Sequence, residues 1–253
     1  MQKSHRRSAP RLVVLSTRAA RDIDRRCAAH FGISTLVLME NAAVNVAAAV
    51  QLLTQEMKAP RVLFVAGTGN NGGDALAAAR HTSNSGAEVS ILLVGNPARL
   101  SPEAAIQYKT CRAMKLPISI AKHALEPALR SARMHLGRLV PDVVVDGLFG
   151  TGLSRPAEGN AQLAIRAIND FAKRGSRVFA IDIPSGLDAG TGKVLGDAVF
   201  ADVTVTFVAL KEGMLMPEAI EHLGRVIVAD IGVPRVLIER LGRRVGGGRS
   251  ANK

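Results

Sequence analysis

The sequence predicts an α/β protein built on a mostly parallel sheet with helices on both faces. Short apolar runs recur along the body of the chain, nearly continuous as strands buried on both faces must be. Helical patterns alternate with them, which is the signature of parallel strands joined by crossovers. One run, Val62 to Ala66, empties into a glycine-rich turn that opens a helix. With 253 residues, 47% hydrophobic and 21% charged, the chain can bury one substantial core.

Residues 1–11 read as a basic disordered tail, with no apolar core for a signal peptide. A single domain is expected over residues 12–242. It opens with two helical segments, 16–31 and 36–57, which are expected to pack on the flank of the sheet or on a partner subunit. Ser16 with Thr17 supplies a cap for the first, and Gly32 a stop. Strands are then expected at 61–66, 88–94, 118–120, 143–146, 177–182, 203–207 and 225–229. Residues 243–253, basic and containing Gly246, Gly247 and Gly248, read as a second disordered tail. No run approaches membrane-spanning length, so no membrane is expected.

The net charge of +12 sits mainly at the ends. Lys3, Arg6, Arg7, Arg11, Arg240, Arg243, Arg244, Arg249 and Lys253 carry nine of those charges, which leaves +3 for the rest. A specific nucleic-acid surface would interleave stacking aromatics with base, and 3% aromatic residues with no Trp supply few. Cys27 and Cys111 lie far apart without metal-binding or redox spacing, so they are expected to be reduced, buried thiols of a cytoplasmic protein.

After the first sheet strand comes Gly67-Thr68-Gly69-Asn70-Asn71-Gly72-Gly73-Asp74. Its glycines permit close approach of a ligand, and the amides of the following helix start would face an anion. A plain strand-to-helix turn needs neither the two Asn nor the Asp. The run also satisfies the dinucleotide pattern G-x-G-x-x-G, but the next strand ends in Gly95-Asn96, where an NAD dehydrogenase would place a ribose-binding acid. Glu88, the acid nearby, begins that strand and so sits on the wrong edge.

Ligands of parallel sheets bind outside the carboxyl ends of the strands. Two more polar loops occupy such positions: Asp146-Gly147-Leu148-Phe149-Gly150-Thr151-Gly152-Leu153-Ser154-Arg155-Pro156 and Asp182-Ile183-Pro184-Ser185-Gly186-Leu187-Asp188. Each acid alone reads as a turn former or cap. Three such loops on one edge predict a shared site.

These three segments, with Ala79-Arg80-His81, Leu38-Met39-Glu40-Asn41-Ala42 and Lys211-Glu212-Gly213, resemble the NAD(P)H-hydrate epimerases over about residues 12–240. The resemblance implies a Rossmann-like three-layer α/β/α sandwich, a homodimer, and interconversion of the R and S forms of NADHX and NADPHX, nicotinamide cofactors hydrated at C6. It implies a potassium ion held by Asn71, Asp146 and Ser185. It places substrate on Asn70, Asn71, Gly72, Gly73, Asp74, on Gly150, Thr151, Gly152, Leu153, Ser154, Arg155, Pro156, and on Asp182. Amide, carboxylate and hydroxyl oxygens suit a hard cation.

Loss and return of the C6 hydroxyl needs a group that gives and takes a proton. Asp182, at a strand end in the centre of the three loops, is assigned that role, with burial expected to raise its pKa. Lys211 is either an assistant near the ribose or phosphates or a solvated loop lysine. Ala75 stands where the family's glycine run continues, so its methyl is expected to narrow the approach to a phosphate. The chain ends shortly after Leu241, so a separate NAD(P)HX dehydratase is expected to act on the product. The alternative reading is a non-enzymatic dimeric scaffold of the same fold, RNA-associated.

Overall fold

In a computed structural model describing residues 12–245, two sheets share one body. The chain runs β1 (Leu12–Leu15), α1 (Thr17–Phe31), α2 (Thr35–Leu53), β2 (Arg61–Ala66), α3 (Asn70–Asn84), β3 (Glu88–Val94), α4 (Pro102–Ala113), β4 (Ile118–Ala121), α5 (Leu125–His135) and β5 (Val143–Gly147). It continues through α6 (Gly159–Lys173), β6 (Arg177–Ile181), β7 (Val203–Phe207), β8 (Leu210–Lys211), α7 (Pro217–Leu223), β9 (Arg225–Ala229), α8 (Arg235–Leu241) and β10 (Arg243–Val245). The large sheet has the order β4-β3-β2-β5-β6-β7-β9, every neighbouring pair parallel. From β2 the chain winds outward to β3 and β4, then returns to β5 and winds the other way. The crevice between the carboxyl ends of β2 and β5 is therefore the switch point where such sheets bind ligands.

Strand periodicity divides the core. Val62, Phe64 and Ala66 face the layer of α2 and α3 with Val46, Val50 and Leu76. Leu63 and Val65 face the layer of α5 and α6 with Leu129, Ile165 and Ile168. Phe64 and Phe179 are fully buried on the first side, so truncating either to Ala would cost about 3–5 kcal/mol. Ser16 caps α1 by accepting from Ala19 N at 3.2 Å, and Gly32 ends it in the left-handed region at φ 67°.

Four expectations are corrected. Arg243–Val245 is not part of a disordered tail: it pairs antiparallel with β1 (Leu12↔Val245), while β1 pairs parallel with β8 (Leu15↔Lys211). Three residues give too short a pattern to read as a strand, and their partners lie about 230 residues away. The rest of the two tails, residues 1–11 and 246–253, falls outside the described residues. The helix expected from 36 begins at Thr35, because Ser34 accepts from Val37 N, and ends at Leu53, where the Thr54 hydroxyl folds back on Val50 O at 2.9 Å. That helix is also long and apolar enough to cross a membrane by length and composition, with a hydropathy of 1.6. In the fold it packs Leu38, Met39, Ala42, Ala43, Val46 and Val50 inward, and Asn41 donates to Ile231 O at 2.8 Å. Finally, β6 stops at Ile181, one residue short of Asp182.

Candidate active site

The carboxyl edge of the sheet opens into a cavity of about 570 Å³, in the size range of small-molecule sites. One wall is the loop and helix start after β2, a second the loop after β5, and a third Asp182, Val208 and Lys211 after β6 and β7. α1 and α2 close it from outside the sheet with Arg21, Ile23, Asp24, Leu38, Met39 and Ala42.

The glycine turn is shorter than expected, because α3 begins at Asn70. Asn70 and Asn71 thus ride on the first helical turn, where free backbone N–H groups face outward, and Asp74 begins the next turn. Thr68, Gly69, Asn70, Asn71 and Asp74 line the cavity. Gly72 and Gly73 do not. They are packing positions: a Cβ on Gly72 would lie 2.0 Å from Gly67 O, and one on Gly73 would lie 2.5 Å from Met39 Cε. Ala75, expected to crowd a phosphate, is fully buried, and its Cβ faces the backbone of Gly147.

In the β5 loop, Gly150, Thr151, Gly152 and Leu153 line the cavity, whereas Ser154, Arg155 and Pro156 are exposed outside it. Arg21 of α1 donates through Nε to Thr151 O at 2.9 Å, tying the outer wall to this loop. Asp188 turns away to hold its own loop, accepting from Thr191 N at 2.7 Å and Gly190 N at 3.0 Å.

Behind the cavity, Asp146 and Ser185 are buried at 0% and 1% exposure. The carboxylate of Asp146 accepts from Ser185 N at 2.8 Å, Ser185 Oγ at 2.6 Å and Leu148 N at 3.2 Å. Burial pushes its pKa up to about 6 against those hydrogen bonds. No cationic side chain pairs with it among the described residues. Asn71 is also buried, and its Nδ2 has no partner among the described residues. A buried carboxylate without a cation, beside amide and hydroxyl oxygens, is a donor set that fits a hard cation.

Asp182 adopts φ 66°, and Ile183 N donates to Ile181 O at 2.8 Å around it. Val208, at the end of β7, repeats the pattern with φ 69° and Ala209 N on Phe207 O at 2.8 Å. Left-handed backbone at two non-glycine residues, one of them β-branched, is local strain, and here both bear on the cavity. The Asp182 carboxyl has a close partner at the strand end. It is ion-paired with Lys211, whose Nζ also donates to Thr206 Oγ1 at 2.6 Å and Phe207 O at 3.0 Å. Lys211 is only 2% exposed, so it is not a solvated loop lysine; it lines the cavity with its ammonium committed to Asp182, Thr206 and Phe207. β8 places it there, held by β1.

Asp74 lies against the same pair, and its carboxyl is pushed well above the usual range by burial and by the neighbouring Asp182 and Asp24. Asp24 was missed. Its carboxyl is pushed up to about 6 by burial, then by Asp182 and Glu103, with Lys211 opposing. A signal for it exists in the sequence: Ala20, Ile23, Asp24 and Cys27 follow the spacing of one helical face, so an acid interrupts an apolar stripe.

The chain matches the family model described as YjeF-related protein N-terminus over residues 35–213. It is 40% identical over 201 residues to the NAD(P)H-hydrate epimerase of Limosilactobacillus fermentum, covering 79% of this chain and 88% of that one. To the NAD(P)H-hydrate epimerase of Pirellula staleyi it is 37% identical over 228 residues, covering 90% and 96%. It is 44% identical over 218 residues to the bifunctional NAD(P)H-hydrate repair enzyme Nnr of Thermofilum pendens, covering 86% of this chain but 40% of that protein. Among solved structures, the yeast protein YNL200c shares the fold at a TM-score of 0.73 and 22% identity, covering 94% of this chain and 97% of that one.

Proposed function

The chain belongs to the YjeF-related protein N-terminus family, and from that premise we propose that it interconverts the R and S forms of NADHX and NADPHX as a repair isomerase. The observation that carries this reading is the cavity at the β2–β5 switch point. Asn70, Asn71 and Asp74 meet Asp182 with Lys211 there, under the loop Gly150–Leu153. A scaffold would have no use for buried, mutually repelling carboxyls in an open cavity, since they oppose folding. The scaffold reading has no observation of its own.

In this site the α3 start and the β5 loop hold the nucleotide, and the carboxyls exchange protons with the C6 hydroxyl. Lys211 fixes the Asp182 carboxyl in place through its ion pair and its two further hydrogen bonds. A potassium ion held by Asn71, Asp146 and Ser185 would neutralise the buried Asp146 and brace the β5 loop against the α3 start. The test is direct: purified protein is given an epimer mixture depleted of one form, and chromatography follows the return of that form above the spontaneous rate. Return no faster than in buffer overturns the assignment.

Homodimerisation is proposed as well, supported by α2, whose outer face leaves Val37, Val44 and Leu52 about half exposed in a stripe. A dehydratase acting on the product would complete the repair. Cys27 and Cys111, both buried and free, support a reducing cytoplasmic setting.

A further inference from the structure

Inversion at C6 by departure and return of a hydroxyl is a two-sided event. The oxygen leaving one face needs a proton, and the water arriving on the other must lose one. A single carboxyl fixed at one wall serves one face only. Asp182 is so fixed, gripped by Lys211 and within 3.4 Å of Thr206 Oγ1.

Asp24 enters the same cavity from α1, outside the sheet, whereas Asp182 stands at the sheet's carboxyl edge. Its carboxyl takes no hydrogen bond or ion pair from the described residues; only burial and neighbouring charges act on it. Asn71 and Asp74 line the cavity between these two walls. A carboxyl on an otherwise apolar helix stripe, ungripped and turned into the substrate cavity, is costly to keep unless it acts on what the cavity holds.

We propose that Asp24 is the second acid/base group of the epimerisation, serving the C6 face opposite the one served by Asp182. This rests on the epimerase reading. In one direction the Asp24 carboxylic acid protonates the C6 hydroxyl, the C6–O bond breaks and water departs. The ring-nitrogen lone pair forms the N1=C6 bond of an iminium cation. A water molecule then adds to C6 from the other side as that π bond returns to nitrogen, and the Asp182 carboxylate takes its proton. The substrate keeps its formula, one oxygen has exchanged with solvent, and one proton has moved from Asp24 to Asp182. The reverse direction swaps the roles. A carboxyl near 6 holds its proton in a useful fraction of molecules at neutral pH and releases it readily.

The experiment uses each C6 epimer labelled with 18O at the hydroxyl, with wild type, Asp24→Asn and Asp182→Asn, corrected for the spontaneous reaction. Wild type should lose the label from both epimers with inversion. Asp24→Asn should lose about a hundredfold or more in inversion. It should still exchange the label of one epimer, the one whose hydroxyl faces Asp182, without inverting it. Asp182→Asn should do the same with the other epimer. Exchange of one epimer is itself evidence of a folded site, and Asp24→Glu should recover part of the inversion. Equal loss of exchange from both epimers in a folded Asp24→Asn, or wild-type inversion by it, overturns the role of Asp24 alone. Inversion with retention of the label overturns the two-face mechanism, and a wild type that neither inverts nor exchanges overturns the epimerase reading.

Discussion

Ser185 turns both its backbone N–H and its hydroxyl onto the two carboxylate oxygens of Asp146, at 2.8 Å and 2.6 Å. The β6 loop is thereby locked to the end of β5, directly behind the cavity. The same carboxylate has no cationic partner among the described residues, so an added cation would have its greatest effect there.

Asp146→Asn and Asn71→Ala should therefore each weaken the dependence of turnover on potassium, since each removes or neutralises an oxygen donor. Potassium titrations of initial rate, with sodium holding ionic strength constant, measure this. A response identical to wild type in both variants removes the ligand assignment.

Asp182→Asn keeps shape and hydrogen bonding but cannot carry a proton, so its loss should fall mainly on kcat, by about a hundredfold or more, with KM changed far less. Lys211→Met should behave differently. It strips a buried carboxylate of its counter-ion, which costs on the order of 3–5 kcal/mol, so thermal stability and turnover should fall together. Near-native turnover in Asp182→Asn would move the proton transfer to another group.

How much of this was legible follows from the range over which each signal acts. The seven strands of the large sheet were readable because each is a local apolar run bounded by turn residues, and their ends fell within one residue of expectation. The convergence of the loops after β2, β5 and β6 followed from topology alone. Asp24 was hidden because its meaning depends on what faces α1, although its place on the Ala20–Ile23–Cys27 stripe was visible. Lys211 could not be placed because two residues, Leu210 and Lys211, are held by a strand about 200 positions earlier. Gly72 and Gly73 carried the right signal with the wrong cause, since their missing side chains admit protein backbone and Met39 rather than a ligand.

Truncations separate the two parts of the C-terminal tail. Removing residues 246–253 should leave stability and turnover unchanged. Removing 243–253 deletes β10, the antiparallel neighbour of β1, and β1 both pairs with Lys211 and leads into α1 with Arg21 and Asp24. The longer truncation should cost on the order of 1–3 kcal/mol in urea unfolding and lower turnover. Identical midpoints for the two truncations would show that β10 holds nothing in place.

Ala75→Gly should not improve substrate affinity, because the Ala75 methyl packs on Gly147 and does not reach the cavity. Stability should fall by about 1 kcal/mol from the helical glycine. Gly72→Ala should be far worse, since its Cβ would collide with Gly67 O. A tighter KM in Ala75→Gly would restore the crowding expectation.

Asp24→Asn should make the protein more stable at neutral pH while making it a poorer catalyst. Burial and the charges of Asp182 and Glu103 raise the folded-state pKa of Asp24 from 3.8 to about 6, against the opposing Lys211. Between those values the folded chain binds more protons than the unfolded one, so this carboxyl makes stability fall as pH rises from about 4 to about 6, and its cost is constant above. About two pKa units correspond to roughly 3 kcal/mol as an upper bound, because Asp24 retains some solvent contact. The variant's advantage in urea unfolding should therefore be near zero at pH 4 and grow to at most that value by pH 7. Asp74, pushed up by burial, then by Asp182 and by Asp24 itself, is relieved of the Asp24 charge in the variant, which shifts stability in the same direction. An advantage independent of pH would mean that the substitution acts through packing, and a variant less stable than wild type at pH 7 would mean that the Asp24 carboxylate is favoured in the fold.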